Sequence, residues 1–401
     1  MSFTNRASIF LRAAELISTK YRYDLMAATM LDQGKNIWQA EIDSAAETCD
    51  FYRFNMHRTE YRPLEGLVYA ISPFNFTAIP ANLIAAPALM GNVVIWKPSN
   101  YALYSNYLQM KILEEAGLPA NVIQFVPGDP KTVTEAILQH PQFVGLHYTG
   151  STEVFRDLYG QISDGVREGR YYIFWVVHGS ADVRNAVVNT VRGAFDYQGQ
   201  KCSATSRVMW PSLCRGSSKG QLVAETERLK MGGVEGFENF VGPVIHEQAW
   251  VKLDKVIQNS KRDPSVTVLA GGETNREEGW FVQRTIFQAE DMKHSLMKEG
   301  FFGPILAVYV FPDGEFEETL RLVDSGAKFG LTGAGFARDR WAIELAEKTL
   351  RHSAGNFYIN CKSSGAVVGH QPFGGSRASG TNDKATSTNL LSRFTSIRSI
   401  K

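Results

Sequence analysis

A single cysteine, Cys202, sits in the stretch "AFDYQGQKCSATSR", where a helical pattern gives way to Gly, Lys and Ser. Free cysteine is most often a small buried hydrophobe. Here Lys201 adjoins it, Gly199 lies just before it and a polar "SATS" follows, surroundings that suit an accessible thiolate better than a core side chain. The chemistry would be covalent: attack of the thiolate on an electrophilic carbon. No histidine lies nearby in sequence, so spacing alone gives no Cys–His dyad. A second candidate is "YTGSTEVF", where Gly150 and Ser151 end an apolar run and open a helical pattern, offering backbone N–H groups to an anion. Ser or Thr at such a point is also the ordinary helix N-cap.

The elements that must position these residues alternate along the chain. Residues 1–56 read as two helices separated near "DQGKN", the second with Trp38, Ile42, Ala46 and Cys49 at helical spacing. Four short apolar runs follow, "LVYAIS" (67–72), "NVVIW" (92–96), "VIQFV" (122–126) and "FVGLHY" (143–148), each succeeded by a helical or turn-rich segment. That alternation predicts a parallel sheet wrapped by helices, as in a dinucleotide-binding domain. No GxGxxG follows any of these strands. A second α/β unit begins near residue 176, with a helix at 248–260, strands near 265–270 and 304–311, and a helix at 340–353. The tail "QPFGGSRASGTNDKATSTNLLSRFTSIRSIK" reads as loop and a short terminal strand. The expected class is α/β, with a Rossmann-type domain over 1–175, a catalytic α/β domain over 176–383 and a tail with an oligomerisation strand over 384–401.

The totals narrow the function. A chain of 401 residues, 44% hydrophobic, is long enough to bury a substantial core. A formal net charge of +1 without long basic runs gives no footprint for nucleic acid or an anionic membrane surface. The four cysteines lack CxxC spacing, which argues against a zinc site or a disulfide framework and for a reducing compartment. No apolar stretch approaches the roughly 20 residues that span a bilayer. The N-terminal run is amphipathic and Arg-bearing, but it contains acidic residues and continues into a long helical pattern, so it reads as a body helix rather than a transit peptide.

Taken together, "GQKCSA", "SPFNFTAI", "VVIWKPSN", "HYTGST", "FFGPILAVY", "AGNFYIN" and "QPFGGSRASGTNDK" resemble the aldehyde dehydrogenase superfamily over nearly the whole chain and in consistent order. Within it they are most similar to the Δ1-pyrroline-5-carboxylate (glutamate-γ-semialdehyde) dehydrogenase branch. The resemblance implies NAD as cofactor and a small-molecule aldehyde as substrate. The reaction would be L-glutamate 5-semialdehyde + NAD+ + water → L-glutamate + NADH. Cys202 matches the nucleophile, and Asn75 in "SPFNF" matches the asparagine whose amide, with the Cys202 N–H, holds the oxyanion. For the cofactor, Lys97 matches the lysine that binds the adenosine ribose, with Ser99 in the same site. Gly150 and Ser151 match the loop near the pyrophosphate, and Phe302 an aromatic beside the nicotinamide ribose. Glu47, Ser203, Gly365, Ala366 and Phe373 match positions around the semialdehyde. Consecutive N–H groups at Gly365–Ala366 would cradle its carboxylate.

The chain departs from the family's pattern at places the chemistry uses. It begins inside the family's usual body, so the family's mitochondrial-matrix address is not visible in it, and the cytosol is the other compartment the sequence allows. "FYRFNMHRTEYRPLEG" shortens a flap that helps family members dimerise, which bears on the homo-oligomer the resemblance implies. The family's "ETGGKN", whose Glu is the general base for deacylation, has no counterpart, and Glu168 in "VREGRY" matches a stretch upstream of it. Gly300 in "EGFFGP" stands where the family has the Glu that accepts from the nicotinamide ribose. Glu299, one residue away, would face the other side of a strand. Cys361 in "INCKSS" replaces an Asp, and "DKATSTN" a Gly-Gly-Pro turn. These departures leave two rival readings: a non-catalytic remnant that keeps the fold, and an enzyme for another semialdehyde.

Overall fold

The four early apolar runs form one parallel sheet in the order Ile123–Phe125, Val93–Lys97, Leu67–Ile71, Phe143–Tyr148. In a computed structural model, residues 1–56, 62–162, 174–326, 329–377, 379–380 and 384–396 are described. They divide into two units: Met1–Glu168 with Val367–Pro372 and Asp383–Lys401, and Gly169–Ala366 with Phe373–Asn382. Among the described residues no helix is long and apolar enough to cross a membrane.

In the first unit the strand order reverses between Leu67–Ile71 and Phe143–Tyr148, so their carboxyl ends open a crevice of the kind that binds ligands in doubly wound sheets. The loops leaving those ends carry Asn75 on one side and Gly150–Ser151 on the other, and Lys97 ends the neighbouring strand. One face of the sheet is closed by the helix Ala78–Leu89, in which every residue except Ile79 is buried. Its Pro87 has no N–H to give the Leu83 carbonyl four residues back. His147, on the last strand of the sheet, supplies the missing donor through Nδ1 at 2.9 Å, and its ring packs on Phe394. Donation to a carbonyl fixes the neutral tautomer with its proton on Nδ1, and burial pushes the ring's pKa down to about 4.

The N-terminal segment holds two helices before "DQGKN", Phe3–Ser18 and Arg22–Gln33, where the periodicity predicts one. Phe10, Ala13, Ala14 and Ile17 are buried, as in a body helix. The segment from Ile37 to Phe54 is helical, but its middle, Glu41–Ala46, is a π turn. That turn shifts the phase of the helix, so Trp38, Ile42 and Ala46 are exposed and only Cys49 of the expected stripe is buried. Arg62–Pro63, in the stretch the sequence reads as a shortened flap, pairs antiparallel with Thr395–Ser396 of the tail. A short helix, Thr388–Ser392, precedes that tail strand.

The second unit is built on a seven-stranded sheet in the order Asn356–Ile359, Thr332–Phe336, Phe174–Val177, Arg207–Pro211, Ile305–Phe311, Thr285–Ala289, Val266–Ala270. All pairs are parallel except the last. Period-two alternation splits its core: Phe174, Val176, Met209 and Ala307 share one cluster, while Trp175, Val177, Val208 and Trp210 share the other. Helices cover both faces, which is why these strands read as continuous apolar runs.

The His147 arrangement makes the first unit acid-sensitive. The unfolded ring takes up a proton near its usual value of about 6.5, whereas the folded one resists protonation until about pH 4. Its contribution is therefore whole above the unfolded value and is lost as pH falls through that window. Urea unfolding of wild type and His147→Asn between pH 7 and pH 4 checks this: the wild type loses more stability over the interval than the variant, and parallel curves would refute it.

Candidate active site

Cys202 is half-buried in the second unit and stands beyond a backbone that no ordinary helix end would adopt. The helix Val183–Phe195, capped by Asp182, runs into a turn in which Tyr197 (φ 50°), Gln198 (φ 53°) and Gly199 (φ 66°) are all left-handed. Each non-glycine residue there costs about 1–2 kcal/mol, so neighbours must hold the turn. Gln198 Nε2 donates to the Pro243 carbonyl at 2.9 Å, and the Ile245 N–H donates to Gln200 Oε1 at 3.0 Å. Lys201 Nζ reaches back across the turn to Asp196 Oδ2 at 2.7 Å, both side chains being largely buried. Lys201 is thus charge-balanced by Asp196, and its adjacency in sequence does not give the thiolate an uncompensated cation. A Cβ at Gly199 would run into the Gly303 carbonyl, so glycine there is required both by φ and by the "FFGP" loop packed against it.

Beyond the cysteine, Ser203 is buried and its carbonyl accepts from Ser363 Oγ at 2.8 Å. Ser363 also lies 3.4 Å from Thr205 Oγ1. This hydroxyl ties the cysteine loop to the turn that carries Gly365 and Ala366, both half-buried. Next to it, the buried Ser364 Oγ has no partner among the described residues. Phe373 is half-buried, with the Gly374 N–H after it anchored on Asn356 Oδ1 at 3.2 Å. Sequence reading missed Ser363 because its partners lie about 160 positions away; only their common turn-rich surroundings hint at it.

Glu299 corrects the sequence reading. Residues 298–304 are loop between the turn Ser295–Met297 and the strand that starts at Ile305, so strand alternation does not apply to Glu299. Its carbonyl accepts from Arg207 Nη2 at 2.8 Å, on a guanidinium that is wholly buried. Phe301 is buried, whereas Phe302 is half-buried and left-handed (φ 57°). That conformation is an outlier for a bulky residue and marks a position held by its surroundings.

In the first unit, Asn75 is buried in the turn after Leu67–Ile71. Lys97 is also buried, and its Nζ donates to the Pro98 carbonyl at 2.7 Å and Asn100 Oδ1 at 3.2 Å. Burial pushes its pKa down, while the Asp129 carboxylate opposes that shift. Ser99 caps the next turn, accepting from the Tyr101 N–H. Ser151 caps the helix Thr152–Ile162, accepting from the Val154 N–H at 3.3 Å. One of the first-turn donors the sequence offers to an anion is therefore taken by its own cap. Gly150 is held beneath Tyr148, whose hydroxyl donates to the Ser151 carbonyl at 2.7 Å; a Cβ there would collide with it. Glu47 is half-buried at the start of the helical turn that follows the π segment. Glu168 lies outside the described residues.

The first unit thus gathers Glu47, Asn75, Lys97, Ser99, Gly150 and Ser151, and the second Cys202, Ser203, Phe302, Gly365, Ala366 and Phe373. A sequence profile described as the aldehyde dehydrogenase family matches residues 1–400. A mitochondrial Δ1-pyrroline-5-carboxylate dehydrogenase of Emericella nidulans is 56% identical, over 100% of this chain and 76% of its own length. A probable Δ1-pyrroline-5-carboxylate dehydrogenase of Schizosaccharomyces pombe is 50% identical, over 100% and 79%. Among solved structures, the Mycobacterium tuberculosis Δ-pyrroline-5-carboxylate dehydrogenase bound with NAD superposes with a TM-score of 0.93 at 43% identity, covering 100% of this chain and 79% of that one.

Ser363→Ala leaves the buried Ser203 carbonyl without its donor, an expected loss of about 1–3 kcal/mol in stability. Denaturant unfolding together with the rate of Cys202 alkylation by iodoacetamide checks the link: both change if Ser363 holds the cysteine loop, and neither does if the contact is incidental.

Proposed function

The chain belongs to the aldehyde dehydrogenase family, and from that premise we propose that it is an NAD-dependent enzyme that oxidises L-glutamate 5-semialdehyde to L-glutamate in proline breakdown. The observation that carries the reading is the strained left-handed turn ahead of a half-buried Cys202, kept in a chain matched over its whole length by pyrroline-5-carboxylate dehydrogenases, of which it covers 76% and 79%. Strain of that kind persists where the surrounding structure over-determines the backbone, and it clusters at active sites.

In this reading the Cys202 thiolate adds to the aldehyde carbon, forming the C–S bond of a thiohemiacetal. The Asn75 amide and the Cys202 N–H stabilise the oxygen that becomes anionic. When bound, NAD+ supplies the acceptor for the hydride that leaves that carbon. Water then cleaves the thioester and regenerates the thiol. The residues present fit a dinucleotide: Lys97 ends the strand next to Leu67–Ile71, Ser99 caps the turn that follows it, and the reversal in strand order opens a crevice at those carboxyl ends. Phe302 would flank the nicotinamide ribose. Glu47, Ser203, Gly365, Ala366 and Phe373 would hold the semialdehyde, with Ser364 Oγ as an additional partner for its carboxylate. The mitochondrial relative supports a mitochondrial compartment, and the resemblance to the family points within it to the matrix. A homo-oligomer is the expected assembly, with a smaller flap contact.

Two carboxylates of the family pattern are not in this reading. Without the general base, deacylation is the slow step and the thioester accumulates on Cys202. Without a carboxylate at position 300, the ribose loses a charge-assisted hydrogen bond, about 1.5–3 kcal/mol.

Intact-mass analysis after exposure to NAD+ and a panel of semialdehydes tests the assignment. A Cys202 acyl adduct is expected, strongest with glutamate semialdehyde and absent in Cys202→Ala. No adduct with any aldehyde, together with no quenching of NADH fluorescence, would support the non-catalytic reading; preference for another aldehyde would move the substrate. Gly300→Glu restores the ribose partner and should tighten NAD+ binding about tenfold or more; titration calorimetry that finds no gain would remove position 300 from the cofactor site.

A further inference from the structure

Behind Asn75 lies a buried polar assembly that no step of the reaction uses. Lys35, on the link after the left-handed Gly34, is fully buried and pairs through Nζ with Asp43 Oδ2 at 2.6 Å; Asp43 is itself almost wholly buried. The same ammonium lies 4.5 Å from the centre of the Phe76 ring, next in sequence to Asn75. Asp43 belongs to the π turn Glu41–Ala46 that immediately precedes Glu47. Around the pair, Thr29 Oγ1 donates to Ser44 Oγ at 3.0 Å and lies 2.8 Å from Thr77 Oγ1. Gln33 Nε2 donates to Thr77 Oγ1 at 2.8 Å. Lys35, Asp43, Thr29, Gln33, Ser44 and Thr77 are all buried, and Phe76 is half-buried.

An apolar filling of this space would cost less desolvation than a Lys–Asp pair, so stability is a weak reason for the charges. What they supply is direction. The ammonium is fixed by the carboxylate on one side and the Phe76 ring face on the other, while Thr77 is gripped by Thr29 and Gln33. The Asn75 turn is thereby locked from its C-terminal side, against the helix that carries Glu47. π turns are themselves concentrated at functional sites.

We propose that Lys35 and Asp43 are positioning residues whose buried pair, stacked under Phe76, holds the Asn75 amide in the orientation that receives the oxyanion. This rests on Asn75 being the oxyanion donor. The test separates two reactions of Cys202 in the full-length chain: aldehyde addition, which builds an oxyanion, and alkylation by iodoacetamide, which does not. Lys35→Met/Asp43→Leu removes the pair without leaving a lone buried charge. It is expected to slow Cys202 acylation by glutamate semialdehyde at saturating aldehyde about tenfold or more, with iodoacetamide alkylation, NADH binding and half-saturating aldehyde little changed. Phe76→Leu, which removes only the ring face, should show the same selective slowing to a smaller degree and serves if the double variant does not fold. Asn75→Ala runs alongside. If it slows acylation while the variants do not, or if the variants slow both reactions equally, the positioning role is overturned. If Asn75→Ala leaves acylation unchanged, the oxyanion assignment falls first and this inference with it.

Discussion

Tyr197, Gln198 and Gly199, held in succession in the left-handed region, determine where Cys202 stands. A chain turned this way at two non-glycine residues springs back unless it is held. The second unit holds it through Gln198 to Pro243, Gln200 to Ile245, Lys201 to Asp196, and Gly199 against the Gly303 carbonyl. Two partly buried hydrogen bonds, each worth about 0.5–1.5 kcal/mol net, are comparable to the strain of two such residues, about 1–2 kcal/mol each. The nucleophile is therefore presented on a backbone that is rigid because it is opposed from several sides.

The first unit uses buried polarity to the same end. Pro87 leaves the Leu83 carbonyl without a helical donor, and His147 fills the gap from the sheet. Lys97 is folded back onto the Pro98 carbonyl and Asn100 at the end of its strand. Lys35 and Asp43 lie beneath the Asn75 turn. Each arrangement spends stability that an apolar core would keep, and each sits at or behind a carboxyl end of the parallel sheet. Such groups are tolerated only when fully partnered, and a partnered buried group has few alternative conformations, which makes it a good support for a site.

The sheet was largely legible in the sequence, since its strands are short apolar runs set between turn and helix signals, and "LVYAIS", "NVVIW", "VIQFV" and "FVGLHY" each contain one. The N-terminal helices were less so. The stripe of Trp38, Ile42, Ala46 and Cys49 assumes 3.6 residues per turn, and the π segment at 41–46 breaks that phase. Strand alternation failed at Glu299 because the loop ahead of Ile305 takes a left-handed bend at Phe302. Adjacency misled at Lys201, whose partner Asp196 comes into reach only through the folded-back turn. The residues that carry candidate chemistry could be named from motifs. The supports behind them, Ser363, Arg207, Lys35 and Asp43, are set by contacts that no local pattern encodes.

The proposed function, with two carboxylates of the family pattern unassigned in this chain, implies an enzyme that acylates its cysteine well and releases it slowly. Rapid mixing with NAD+ and glutamate semialdehyde, followed by NADH absorbance, measures both halves at once. A burst approaching one NADH per chain, followed by a much slower steady phase, is expected. Linear NADH release from the first turnover, at a rate matching acylation, would contradict it.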